Sequence, residues 1–225
     1  MITQAGGFSI IQDVQEERET DSEVFLFALS SNWQVEILRR YNSLLFLDAT
    51  HNTCISLEDR HRKAFLHTLL VKHDVAGCGI PITFMVTNSE TQRPLAMWLN
   101  SLRVHSLPIS PKFMMDCSAT DIAAIESSFQ TPQIRLCYWH MLRSMRTQVN
   151  SKIKTSASIQ GQPIIQIRKS AIQDFLGLMY SRTVKEFGQI WNEYHDRYQL
   201  HEEWLKYVES NWLKHPERWW SGNRN

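Results

Sequence analysis

Short apolar runs closed by polar residues set the rhythm of the first two thirds of the chain, and helical periodicity replaces them in the last third. Positions 43–48 (SLLFLD) form a continuous apolar run that ends in an acid, the pattern of a buried strand finishing at a polar edge. Positions 65–73 (FLHTLLVKH) and 80–87 (IPITFMVT) read as two more strands, separated by the turn Gly77-Cys78-Gly79. Pro81 predicts an edge strand or the point where a strand begins. Positions 90–104 place Leu95, Trp98, Leu99 and Leu102 at helical spacing. A short run at 112–116 (KFMMD) again ends in an acid. It precedes a helix at 121–129 capped by Ser118, a strand at 134–136 and a helix at 138–149. Upstream, 24–29 predicts a strand and 32–41 (NWQVEILRRY) an amphipathic helix with Trp33, Ile37 and Tyr41 on one face. Positions 6–14 fit a strand or a loop, and the acidic stretch after them fits a turn.

From position 43 the order is β-β-β-α-β-α-β-α, which predicts an α/β protein with a mixed sheet flanked by helices. Three adjacent strands followed by alternating helices fit an RNase H-like layout. Positions 1–42 read as a lead-in with short strands and a helix, 43–150 as the core and 151–166 as a polar linker. The region 167–225 reads as a helical, insertion-type subdomain. Its aromatics, among them Phe175, Tyr194, Tyr198, Trp204 and Trp212, are expected to pack as core rather than to stack on bases.

Composition narrows the class. Hydrophobic residues make up 43% and charged residues 21%, enough apolar material for a sizeable core and ordinary for a globular chain. The formal net charge is +1, so a nucleic-acid partner would need a local basic patch. The densest basic stretch holds Arg143 and Arg146, then Lys152, Lys154, Arg168 and Lys169. These are phosphate contacts or a solvated face. No basic n-region with an apolar run opens the chain and no stretch has the length of a membrane span, so no signal peptide, transmembrane helix or membrane partner is expected. The cysteines at 54, 78, 117 and 137 are then expected as reduced thiols in an intracellular compartment.

The residues that could carry chemistry are the two acids that close apolar runs, Asp48 and Asp116. Side by side in one sheet, two such carboxylates could bind a divalent ion through oxygen. The bland reading is that each begins a turn or caps a helix. Cys137 and His140 form Cys-x-x-His at a helix start. Sulfur plus imidazole suits Zn²⁺, but a closed structural site takes about four ligands. The alternative is a buried small thiol and a hydrogen-bonding imidazole.

The segments LLFLDATHNTCISLEDRHRKAFLHTLLVKHDVAGCGIPITFMVTNSET and KFMMDCSATDIAAIESSFQTPQIRLCYWHMLRSMRTQV resemble the two halves of a Mutator-like (MULE) transposase domain. That family belongs to the DDE, RNase H-like superfamily. The ordered set of an apolar strand with Asp, two further strands, an apolar strand with Asp and an Ala-Ile helix, then Cys-x-x-His with a basic helix, covers about 43–149. The resemblance implies an RNase H-like fold and metal-dependent DNA cleavage and strand transfer. Asp48 and Asp116 would be the first two catalytic acids, with Mg²⁺ or Mn²⁺ as cofactor. It further implies terminal inverted repeats of transposon DNA as partner, a homo-oligomeric synaptic complex, and the nucleus as location. Cys137 and His140 carry over as a motif beside the site. The third acid of the family follows a Trp-rich segment, in an Asn-x-x-Glu element. This sequence reaches NWLKHPERWWSGNRN, so the expectation is that it stops before that element. Glu186, Glu193 and Glu217 are the in-chain alternatives. The competing expectation is an inactive or domesticated transposase remnant serving as a DNA-binding or protein-interaction module.

Overall fold

A computed structural model describes residues 2–5, 8–14, 24–55, 63–74, 77–104, 112–155 and 161–223, with backbone alone for 2–14, 51–55, 63, 104 and 223. The chain divides into two compact units, Met1–Ile134 and Arg135–Asn225. The boundary falls before the helix at 138, which the sequence pattern groups with the strands.

The first unit is an α/β unit built on a mixed sheet. Its strands are β1 (Ile2–Ala5), β2 (Phe8–Val14), β3 (Phe25–Ser31), β4 (Leu45–Ile55), β5 (Lys63–Lys72), β6 (Gly79–Thr87) and β7 (Lys112–Met115), and β8 (Gln133–Leu136) spans the boundary. The spatial order is β1-β2-β3-β6-β5-β4-β7-β8. Helices α1 (Asn32–Arg40), α2 (Gln92–Val104) and α3 (Ala119–Ser128) interrupt the strands. The apolar runs become strands because one face of each is buried. Leu45 and Leu47 on β4, Leu69 and Val71 on β5, and Phe113 and Met115 on β7 are all at most 4% exposed. The opposite face, with Phe46, Leu66, Leu70 and Met114, is half-buried.

One local feature differs from the pattern and two refine it. Strand β4 runs to Ile55, well past Asp48, because β5 keeps pairing with it as far as Ile55 opposite Lys63. A purely apolar criterion ends the strand too early, since an antiparallel arm needs only backbone partners. Strand β6 is interior, between β3 and β5, and Pro81 is accommodated where the β5 register shifts, with Leu69 opposite Thr83 and Leu70 opposite Pro81. At such a bulge the missing N–H costs no ladder bond. Gly77 adopts φ +64 in the preceding turn, a conformation open to glycine.

Helix α1 buries Gln34 and Leu38 rather than the Trp33, Ile37 and Tyr41 face, and Trp33 is 59% exposed. The cause is its cap. Ser31 Oγ accepts from Gln34 N–H and Gln34 Oε1 accepts from Ser31 N–H, a capping box. The same Gln34 side chain donates through Nε2 to the Pro81 carbonyl at 3.0 Å, which turns the 34/38 stripe toward the sheet. Helices α2 and α3 pack on each other, with Gln92 Nε2 donating to the Ala123 carbonyl and to Ser127 Oγ.

The second unit is helical: α4 (Tyr138–Lys152), α5 (Ile164–Tyr180), α6 (Val184–Tyr198) and α7 (Glu202–Val208), followed by a π turn at Glu209–Leu213. Its core is aromatic, as its sequence predicts. Phe175, Tyr198 and Trp204 are fully buried, and Tyr194 and Trp212 nearly so. Three of these rings find polar partners inside, while Trp212 Nε1 is buried without one. Trp204 Nε1 donates to Tyr194 Oη at 2.7 Å, Tyr194 Oη donates to the Ala171 carbonyl, and Tyr198 Oη donates to Asp174. Among the described residues no helix is long and apolar enough to cross a membrane.

Candidate functional site

Asp48 and Asp116 are brought together by register. Strands β4 and β7 are adjacent and parallel, with Leu45 opposite Phe113, Phe46 opposite Met114 and Leu47 opposite Met115. One step further along both strands lie Asp48 and Asp116. Neighbouring strands are about 4.8 Å apart, so the two residues leave the paired segment side by side. Alternation puts both on the half-buried face, with Phe46 and Met114, and opposite the face that buries Leu47 and Met115. Thr68 on β5, paired with Asp48, joins them on that face. Asp48 therefore marks the carboxyl end of the parallel β4–β7 pairing, although it is not the end of its own strand.

The two carboxylates differ in their surroundings. Asp48 is exposed, and its side chain makes no hydrogen bond or ion pair among the described residues. Asp116 is half-buried, and its Oδ1 accepts the Ser118 backbone N–H at 3.0 Å. Ser118 is the N-cap of α3 and accepts from Asp121 N–H. Asp116 thus both shapes the strand-to-helix turn, as the bland reading expects, and keeps a second oxygen for other use. No lysine or arginine pairs with either acid among the described residues.

Two unneutralised carboxylates on neighbouring strands suit a hard divalent cation. Mg²⁺ is commonly held by one or two carboxylates, with water and substrate phosphate completing its oxygen shell. Among the described residues, no group of three or more His, Cys, Asp or Glu gathers where it could hold a metal. Among the described residues the site offers two carboxylates.

Glu186, Glu193 and Glu217 all lie in the second unit. Glu186 accepts the Arg182 N–H and caps the start of α6 together with Thr183. Glu193 is exposed on α6, and Glu217 pairs with His215 at 3.0 Å. Each has a local structural role or a solvated position. Cys137 is the N-cap of α4 without a side-chain capping bond, and His140 lies one turn on with its ring edge against Trp139. Both are half-buried, and His140 Nδ1 has no hydrogen-bond partner.

The basic stretch resolves into two groups. Arg168 donates to the carbonyls of Asn150 and Ile153, closing the C-terminal end of α4, and Lys154 pairs with Glu203. Arg143 and Arg146 stay exposed on α4. Counting charge by unit shows what the net value hides. Met1–Ile134 carries 10 Lys and Arg against 15 Asp and Glu, whereas Arg135–Asn225 carries 14 against 8. Within 135–185 there are nine basic residues and a single acid, Asp174. No protein-family model matches the chain, and no curated protein matches it.

Proposed function

We propose that the chain carries the core of a Mutator-like DNA transposase, an RNase H-like sheet in which Asp48 and Asp116 hold Mg²⁺ or Mn²⁺ for cleavage and strand transfer of transposon ends. The observation that carries this reading is the parallel β4–β7 register, which sets the two acids at equivalent positions on one face. The meander β4–β5–β6, the return of β7 to lie parallel beside β4, and the helices that alternate thereafter are the layout this reading calls for. A bound divalent ion would supply the Lewis acidity that activates water or a 3′-hydroxyl and stabilises the leaving oxygen. The chain's own part is to fix two oxygen donors on adjacent strands, a rigid platform for such ligands. Terminal-repeat DNA as partner, a synaptic homo-oligomer and a nuclear location belong to the same proposal.

A second reading is a domesticated remnant that binds DNA or protein without cutting. The basic character of 135–185 favours it.

Thermal melts with and without Mn²⁺, alongside nicking of terminal-repeat DNA, separate the outcomes. Asp116→Asn keeps an acceptor for the Ser118 N–H while removing the charge, so it is expected to match the wild-type melting temperature without metal. It should lose the Mn²⁺-induced rise. Asp116→Ala also loses the turn bond and should cost about 1 kcal/mol. Asp48→Asn should behave like Asp116→Asn. An undiminished Mn²⁺ response in the double Asn variant removes the metal reading. Metal binding without nicking selects the remnant.

A further inference from the structure

We propose that the exposed face of α4 is a single-strand nucleic-acid surface on which an unpaired base stacks against Trp139. This rests on the nucleic-acid part of the proposed function but not on its carboxylate pair.

Helix α4 is two-sided. Met141, Met145 and Val149 are buried at i, i+4 and i+8. On the opposite side Trp139, Arg143, Arg146 and Asn150 follow at spacings of four, three and four, so they share one face over about 16 Å of helix. The Arg143 guanidinium carbon lies 5.3 Å from the Trp139 ring centroid, a cation–π contact. Even with Arg143 and His140 against it, Trp139 remains 59% exposed. In this unit Trp204, Trp212 and Trp219 are buried and Trp191 and Trp220 half-buried, so Trp139 is its one tryptophan in the exposed class among the described residues.

Charge identifies the partner. No acid lies on α4, and Arg146 is in no ion pair among the described residues. The surrounding stretch 135–185 has nine cations to one anion, and three of those cations are engaged, Arg168 in closing α4, Lys154 with Glu203 and Arg135 with the Glu217 carbonyl. An aromatic ring with guanidinium groups along one helix face is the combination that binds an unstacked strand, with phosphates on the cations and a base on the ring. A duplex keeps its bases stacked on one another and offers the ring no base face. An acidic protein segment would satisfy the arginines but would not require the indole to be flat and bare.

The test is fluorescence anisotropy of the whole chain with labelled oligo(dT) and with a duplex of equal length, in low salt and EDTA. The wild type is expected to prefer the single strand. Trp139→Ala should weaken that binding about 5-fold or more, with Trp139→Phe within about 2-fold of wild type. Arg146→Gln should weaken single strand and duplex alike and make the salt dependence shallower. Since Trp139 is exposed, circular dichroism melts of its variants should overlay the wild type. Wild-type affinity in Trp139→Ala overturns the proposal, as does a preference for duplex that ignores Trp139. Absence of binding to either DNA also overturns it and leaves a protein-docking face. Because EDTA removes any bound metal, this assay reads the α4 surface independently of metal at the carboxylate pair. Loss of oligo(dT) binding with a normal Mn²⁺ melt therefore sinks this surface alone, and the converse sinks the carboxylate reading alone.

Discussion

His201 shows how one side chain sets a pH dependence that no charge count reveals. It is 4% exposed at the start of α7, its ring lies near Tyr198, and its Nε2 has no hydrogen-bond partner. Burial lowers its pKa from the usual 6.5, since an imidazolium would lose hydration without gaining a partner. The folded state therefore refuses a proton that the unfolded chain accepts. The associated stability is fully present above about pH 6.5 and is lost as pH falls through the lowered folded value. Denaturant midpoints at pH 7.5 and 5.5 should fall less in His201→Asn than in wild type. An equal fall in both would show that other groups carry the acid sensitivity. The Asp48–Asp116 pair belongs to the same scale. Each acid was visible in the sequence as the end of an apolar run, but an apolar run ending in Asp is common, and only pairing makes two of them neighbours.

At the scale of elements, helix ends carry much of the specification. Strong caps sit where the sequence offers Ser or Thr: Ser31 on α1, Ser118 on α3 and Thr183 on α6. Helix α4 ends without such a residue, and a side chain from α5 does the work. Arg168 donates from Nε and one terminal nitrogen to the Ile153 carbonyl and from that terminal nitrogen to the Asn150 carbonyl, at 2.8 to 3.0 Å. These carbonyls have no partner in their own helix, and a cation there also opposes the negative end of the dipole. Arg168→Met, which keeps the apolar stem, is expected to lower unfolding stability by about 1–2 kcal/mol in a urea titration. A neutral result would mean water replaces the guanidinium at no cost. The sequence places Arg168 in a basic stretch that fits phosphate contacts or a solvated face, because spacing along a chain does not reveal a cap supplied from another helix.

At the scale of the whole molecule, the two units are stabilised differently. The first buries aliphatic strands, and the second buries aromatic rings, with Trp204 and Tyr194 hydrogen-bonded inside it. Trp204 is the centre of that second core, fully buried and donating to Tyr194. Trp204→Ala should cost about 3–5 kcal/mol, and Trp204→Phe clearly less, since the phenyl fills most of the volume and Tyr194 Oη still donates to Ala171. Calorimetry or denaturant unfolding measures both. A small loss in the alanine variant would show that this core is loosely packed.

The sequence by itself determined the strands and helices with long apolar periodicity, the order of elements from Leu45 onward and the mixed α/β class. It also gave the aromatic character of the helical unit. Each follows from local spacing, because a strand or helix that buries one face must show it at period two or 3.6. Tertiary structure decided what depends on partners distant in sequence. Strand β4 reaches Ile55 because β5 lies beside it, and Gln34 rather than Trp33 turns inward because Pro81 offers a carbonyl. Asp48 and Asp116 become neighbours only when β7 crosses back to pair in parallel with β4, a contact between segments that nothing in their local composition specifies.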